Sequence, residues 1–199
     1  MEGSPNARTI ESYEDIAEQY ARDTEGPAVL GSGLTRLAET VPGGQVLEVG
    51  SGPGWDADEL EEAGLTVRRT DVTQGFIEFQ RGRGKQVDAL DVIHDELGGP
   101  HDGVVMLHVL QHFESGDLPG VLAKVAGALR PGGCFLVSVP RGEGEGWETG
   151  ESGKPYYKAL HTKDELFALL RAAGLEPEWS DQASDDESGW LCVLARRIS

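Results

Sequence analysis

Apolar residues recur at spacings of three and four over Leu118–Leu129, where Leu118, Val121, Leu122, Val125 and Leu129 share one stripe, and this predicts a helix. Thr162–Ala173 repeats the pattern with clear ends: Thr162 offers an N-cap, Glu165 sits at the capping-box position and Gly174 stops the helix. Ile16, Ala17, Tyr20 and Ala21 predict a helix starting from Ser12, and Val29, Leu30, Leu34 and Leu37 a second over Ala28–Glu39. Trp55–Ala63 and Ile77–Arg81 add two more. Short apolar runs bounded by turn residues lie between them and read as strands: Gln45–Val49, Thr66–Thr70, Lys85–Asp88, Gly103–Leu107 and Cys134–Val139. Strands alternating with helices in this way build a parallel sheet with helices on both faces, an α/β architecture. After Pro140 the pattern changes. Residues 141–155 are rich in Gly and Glu and are expected to form an irregular loop. Glu176–Asp181 and Gly189–Arg196 read as two strands joined directly by the acidic turn Ser184–Ser188, hence antiparallel. Residues 1–10 are expected to be disordered.

Length and charge narrow the picture. A chain of 199 residues fits one domain with a sizeable core. Its 35 acidic against 17 basic residues give a formal net charge of −18, which argues against a nucleic-acid backbone or an anionic membrane surface as partner. No run approaches the roughly 18 apolar residues of a membrane span. Cys134 and Cys192 sit in apolar runs, and Met1–Arg8 lacks the apolar core of a secretory leader, so two buried free thiols in a soluble cytoplasmic protein are expected.

Candidate chemistry concentrates in Val46-Leu-Glu-Val-Gly-Ser-Gly-Pro-Gly54. A strand carrying Glu48 runs into Gly50, Gly52 and Gly54, which let the backbone bend sharply and approach a ligand closely, and a helix follows. Strand, glycine turn and helix open a nucleotide-type cofactor site. Spacing decides which kind. A dinucleotide loop of the form Gly-x-Gly-x-x-Gly would place its third glycine at Trp55, the bulkiest side chain, which disfavours a nicotinamide-dependent oxidoreductase.

The pattern actually present, Glu48-x-Gly50-x-Gly52-x-Gly54, resembles the signature loop of the class I S-adenosylmethionine (SAM)-dependent methyltransferases. Further landmarks follow in the family's order: Asp71 ending the second strand, Val87-Asp-Ala89, Gly103–Phe113 with a Val-Leu-x-His turn, and Leu129-Arg-Pro-Gly-Gly133 before the fifth strand. The resemblance runs from about Tyr13 to Arg196. It implies a Rossmann-like seven-stranded sheet, mostly parallel with an antiparallel last strand. A single methyltransferase domain would then span 12–199 behind a disordered 1–11. Its parts would be an N-terminal helical cap over 12–42, a cofactor-binding core over 43–140, a substrate loop over 141–161 and a C-terminal helix and hairpin over 162–199.

The resemblance also implies site residues. Gly50, Ser51, Gly52 and Gly54 would lie against the methionyl part of SAM, with Glu48 ordering its amine indirectly. Asp71 would accept from the ribose hydroxyls and Val72 would flank the adenine. Asp88 and Ala89 would serve the adenine edge, with Asp91 as competitor. Leu107 would meet the sulfonium end, and Tyr20 would lie beside the cofactor carboxylate. Arg68 and Arg69 precede Asp71 where a small or apolar approach is more usual, so at least one is expected to face solvent.

Methyl transfer needs acceptor and methyl held in line, and a hydroxyl or ammonium acceptor must lose a proton. His112 and then His108 are the candidate bases, since histidine titrates near neutrality. His161 is a lesser candidate, and His94 and His101 read as loop residues. Tyr13, Trp147, Tyr156 and Tyr157 are the candidate substrate residues, large amphipathic side chains suited to covering a small acceptor. No His or acidic pair has convincing metal-ligand spacing, so no metal is expected. The expected activity is methyl transfer from SAM, giving S-adenosylhomocysteine (SAH), to a small-molecule O or N nucleophile by a monomer or homodimer. The alternative is a protein that binds SAM or SAH without transferring methyl.

Overall fold

The computed structural model describes residues 4–26, 30–150, 152–184 and 189–198. In chain order it contains α1 (Pro5–Glu14), α2 (Ala17–Asp23), α3 (Gly31–Thr40), β1 (Gln45–Val49), α4 (Trp55–Glu62), β2 (Thr66–Asp71), α5 (Gln74–Gly82), β3 (Val87–Ala89) and β4 (His101–Met106). A 3-10 turn (Leu110–His112), α6 (Leu118–Ala128), β5 (Leu129–Pro140), β6 (Glu145–Thr149), β7 (Pro155–Ala159), α7 (Lys163–Ala172), β8 (Leu175–Ser184) and β9 (Gly189–Arg197) complete it.

Seven strands form one sheet in the order β3-β2-β1-β4-β5-β9-β8. β1 to β5 pair in parallel, and β9 runs antiparallel between β5 and β8. The seven-stranded, mostly parallel sheet with an antiparallel end is therefore as expected. Alternate residues serve opposite faces. Leu47, Val104, Met106, Phe135 and Val137 pack under α6 and α7 with Leu122, Val125, Leu166 and Leu170. Val46, Val105, Leu136, Cys192 and Leu194 pack under α3 and α4 with Leu34, Leu37 and Leu60. Cys134 and Cys192 are buried and unbridged.

Two regions differ from the sequence reading. The first is the N-terminus: residues from Pro5 are helical, and the helix expected from Ser12 is split into α1 and α2. Ser4 caps α1 by accepting from the Ala7 N–H, and Pro5 starts it, a favourable opening. The helix is too polar to show a core stripe. What holds it is polar: buried Thr9 accepts the Tyr157 N–H through Oγ1 at 2.9 Å, and Glu14 accepts from the Gln74 and Gly75 N–H groups that open α5. The second is the segment 141–155, read as an irregular loop. It contains β6, which pairs antiparallel with β7 from Glu145↔Ala159 to Thr149↔Pro155. β6 is largely exposed, so apolar alternation is missing, and backbone pairing and docking of β7 on α1 define the hairpin instead.

The remaining boundaries lie within about three residues of expectation, except that β5 begins at Leu129, five residues before Cys134, and so includes the Leu129–Gly133 segment expected to precede it. Ala28, Val29 and most of the 184–188 turn fall outside the described residues. The capping box at Thr162 and Glu165 is present with both reciprocal hydrogen bonds.

Candidate active site

The C-terminal ends of β1, β2 and β4 converge on a cavity of about 280 Å³. This is where an open α/β sheet offers a ligand crevice. Gly50, Ser51 and Gly52 line it, and both glycines have positive φ, 70° and 52°. A Cβ on Gly50 would come within 2.5 Å of Val109, so the turn passes too close to its neighbour for any side chain. Asp71, Val72, Tyr20, Leu107, His108, His112 and Tyr13 also line the cavity.

Asp71 is almost fully buried and accepts the Gly52 N–H at 2.7 Å and the Thr73 N–H at 2.8 Å. It ties the glycine turn to the end of β2. Burial pushes its carboxyl up from the ordinary range, against the pull of those backbone donors.

Beneath the turn lies a buried network that the sequence did not advertise. Arg69 is closed off from solvent, with Nη1 donating to the Gly54 carbonyl at 3.2 Å and to Gln80 Oε1 at 3.1 Å. Gln80 Nε2 donates in turn to Ser51 Oγ and the Gly52 carbonyl. The remaining guanidinium nitrogens reach Asp58 and Glu61 of α4. Burial alone would raise the Asp58 carboxyl, but hydrogen bonds from Lys85, Arg83 and Arg69 hold it at about 2. Gly54 stands over this network rather than on the cavity wall, and a Cβ there would meet Gln80 Oε1 at 2.4 Å. Arg68, by contrast, is part-exposed, as expected of one of the pair.

Glu48 is buried behind the wall with Oε2 lacking a partner among the described residues. Burial, then the neighbouring Asp56, raises its carboxyl well above the usual range. Asp56 lines the cavity, and burial pushes it up to about 6. Neither acid makes an ion pair among the described residues, so a ligand that brings positive charge would offset the cost of burying them.

Asp88 and Ala89, expected at the adenine edge, do not line the cavity, and Asp88 is exposed in an ion pair with Arg68 at 2.8 Å. β3 is three residues long and ends at Ala89, so the chain turns and Leu90, Asp91 and Val92 reach the wall instead. Asp91, the competitor, accepts the Ile93 N–H and pairs with His94.

His108 adopts a left-handed φ of 57°, a costly state for a non-glycine residue. Ser138 Oγ accepts its N–H at 2.9 Å, Gln111 donates to its carbonyl, and its ring packs edge-on to Trp190. His112 is buried. Its Nδ1 donates to the Tyr157 carbonyl at 2.8 Å, which leaves Nε2 as an acceptor 3.3 Å from the Tyr13 hydroxyl. Burial lowers the imidazole to about 4, so His112 is neutral around pH 7, against the expectation of a near-neutral titration.

That shift has a consequence for stability. The unfolded chain takes up the His112 proton near pH 6.5, whereas the folded chain resists it until about 4. The neutral form is therefore fully stabilising above pH 6.5, and stability falls as pH drops towards 4. Urea unfolding at pH 7 and pH 5 is expected to show about 2 kcal/mol lost to this group, a loss that His112→Gln removes.

The substrate residues divide. Tyr13 lines the cavity and Tyr156 lines a second cavity beside it. Tyr157 is buried and contributes its carbonyl to His112 rather than its ring to the wall. Trp147 lies on the outer side of the hairpin under Arg8, with the guanidinium 4.2 Å from the ring centroid, and lines neither cavity. It clamps α1 to the hairpin instead. His161 is buried next to β7, and His94 and His101 line neither cavity. Sequence reasoning missed Asn6, Thr9 and Ile10 of α1, Phe76 of α5 and Asp56, all on the wall. Of these only Asp56, two residues past Gly54 in the first turn of α4, had a usable signal.

The sheet order, the glycine turn tied to an acid at the end of β2 and the cavity over both have the arrangement in which open α/β sheets offer a nucleotide-type cofactor crevice. The methyltransferase-domain family model matches residues 20–178, and the chain belongs to the SAM-dependent methyltransferase family. A Mycolicibacterium smegmatis protein named "Probable S-adenosylmethionine-dependent methyltransferase" is 32% identical over 146 residues, covering 72% of this chain and 56% of that protein. A ubiquinone biosynthesis O-methyltransferase of Dinoroseobacter shibae is 27% identical over 180 residues, covering 81% and 67%. The chain thus matches little more than half the length of the first of these. Among solved structures, 1,6-didemethyltoxoflavin-N1-methyltransferase of Burkholderia thailandensis, bound to its substrate and SAH, is similar in fold with a TM-score of 0.78. It is 22% identical, with 100% of this chain and 92% of that one covered. Among the described residues, no helix is long and apolar enough to cross a membrane and no cluster of three or more His, Cys, Asp or Glu is placed to hold a metal.

Proposed function

We propose that the protein transfers the methyl group of SAM to a small-molecule oxygen or nitrogen nucleophile. One observation carries the proposal: a single cavity joins the Gly50–Gly52 turn and Asp71 to the His112–Tyr13 pair. In this reading Gly50, Ser51 and Gly52 seat the methionyl part, Asp71 the ribose, and Val72 with Asp91 the adenine. Leu107 and Tyr20 border the reacting end, with Asp56 on the wall facing the cofactor's positive charge and Glu48 behind it, where a bound cation would favour its ionised form. SAM brings an activated methyl on a cationic sulfur, so the chain has mainly to align and deprotonate the acceptor.

His112 suits the second task. Its tautomer is fixed by the Tyr157 carbonyl, and the lone pair on Nε2 is directed towards Tyr13. A weak base is sufficient for a hydroxyl acceptor, because an oxygen forming a bond to methyl becomes strongly acidic as the bond closes. Tyr13 positions His112, and His108, held in a strained turn, shapes the wall beside it.

Calorimetric titration with SAH, followed by turnover with isotope-labelled SAM on a panel of phenols and amines, tests this. SAH is expected to bind and one acceptor class to gain label, with His112→Ala lowering turnover at least about tenfold while SAH affinity is kept. Absence of SAH binding overturns the proposal. SAH binding without transfer to any acceptor favours a SAM-binding protein that is not a methyltransferase.

A further inference from the structure

The second cavity, about 270 Å³, lies between α1, α2 and the β6–β7 hairpin. Tyr13, Tyr20 and Thr24 line both cavities, so the two adjoin. Tyr156 lines the second cavity and packs edge-on to His112 with ring centroids 5.9 Å apart, so this cavity opens on the His112 side of the cofactor site. Its apolar surface is aromatic and branched: Tyr13, Tyr20, Tyr156 and Ile16.

Most of its polar groups are already committed. Ser12 Oγ donates to the Arg8 carbonyl, Thr24 Oγ1 to the Tyr20 carbonyl and the Tyr156 hydroxyl to Glu148. Ser152 Oγ accepts the Lys154 N–H, and the Lys154 ammonium is neutralised by Asp15. Gln19 and Asp23 remain. They stand one helical turn apart on α2, hence on one face at the exposed rim of the cavity, and neither side chain makes a hydrogen bond or ion pair among the described residues. The wall therefore carries one uncompensated negative charge and one free amide next to three tyrosine rings. Tyrosine faces attract cations through their quadrupole, and a carboxylate beside them adds direct charge attraction. The protein's net charge of −18 draws the same sign of ligand towards the surface and disfavours an anionic one.

We propose that this cavity holds the ammonium end of the methyl acceptor, which is a small arylalkylamine or other compact organic cation carrying a separate nucleophile. The ammonium sits at Asp23 and Gln19, its ring between Tyr20 and Tyr156, and its nucleophilic end reaches past Tyr13 towards His112. This inference rests on the methyl-donor reading above, and it adds the acceptor's charge and the residues that select it.

Two probes of matched shape test it: tyramine, with an ammonium and a phenol, and 4-ethylphenol, which lacks the ammonium. Both are titrated calorimetrically into the full chain saturated with SAH, and again without SAH. Tyramine is expected to bind at least about tenfold more tightly than 4-ethylphenol, and Asp23→Asn to bring the two within about threefold. Tyr156→Ala is expected to weaken tyramine by a similar factor while SAH affinity is unchanged. Equal affinities for the two probes, no tyramine binding in the millimolar range, or a preference that survives Asp23→Asn overturns the inference. Failure of SAH to bind strikes the methyl-donor reading instead, and the SAH-free titrations still report on the cavity.

Discussion

Asp71→Ala is expected to abolish the stabilisation of the protein by SAH and to lower SAH affinity at least about a hundredfold. Two effects combine. The variant lacks the carboxylate proposed to take the ribose hydroxyls, and it leaves the Gly52 and Thr73 N–H groups without their acceptor. A buried donor left unpaired costs about 1–3 kcal/mol, so the folded state itself should lose about 2–5 kcal/mol. Asp71→Asn retains a carbonyl for one of the two donors and is expected to fall between. Urea unfolding and calorimetry on the three proteins separate the two effects. An SAH affinity for Asp71→Ala within threefold of the parent would remove Asp71 from the cofactor site.

Arg69→Met is expected to lower stability by about 3 kcal/mol and to loosen the glycine turn. The side chain is buried, and its loss strands the Gly54 carbonyl, Gln80 Oε1 and part of the Asp58–Glu61 charge. Lys85 and Arg83 remain on those acids, which keeps the cost at the lower end of what breaking a buried pair entails. Arg69→Lys should recover less than half, because an ammonium cannot span four acceptors that a planar fork reaches. Unfolding curves with and without SAH provide the measurement. Parent-like stability in Arg69→Met would show the network to be incidental.

How much of this was legible follows from where the information resides. The glycine turn and Asp71 were readable because their chemistry is local: spacing fixes the turn, and the end of a strand fixes the acid. A motif gives order along the chain but not where a strand stops, so it points to Asp88, whereas β3 stops at Ala89 and Asp91 is the acid that reaches the wall. Arg69 read as a misfit since pairing with Asp58, Glu61 and Gln80 depends on α4 and α5 closing over β2. Trp147 read as a substrate residue because aromatic character is visible in sequence, whereas the outward side of a hairpin is set by register and by Arg8 on a distant helix. α1 was lost for a related reason, since polar contacts to β7 and α5 leave no apolar rhythm.

The brace beneath the glycine turn has a wider implication. Its members, from Ser51 to Lys85, come from the first half of the central sheet and its helices, whereas the second cavity is walled by α1, α2 and the hairpin. Among the described residues the two sets meet where Glu14 accepts from the start of α5 and where Tyr13 and Tyr20 pack on Phe76. Substitutions on the two sides that share no partner should therefore combine additively. Under the proposed reading, Gln19, Asp23 and Tyr156 line a cavity that no member of the brace lines, so changes there are expected to alter acceptor binding while leaving the stability of the glycine turn as it is.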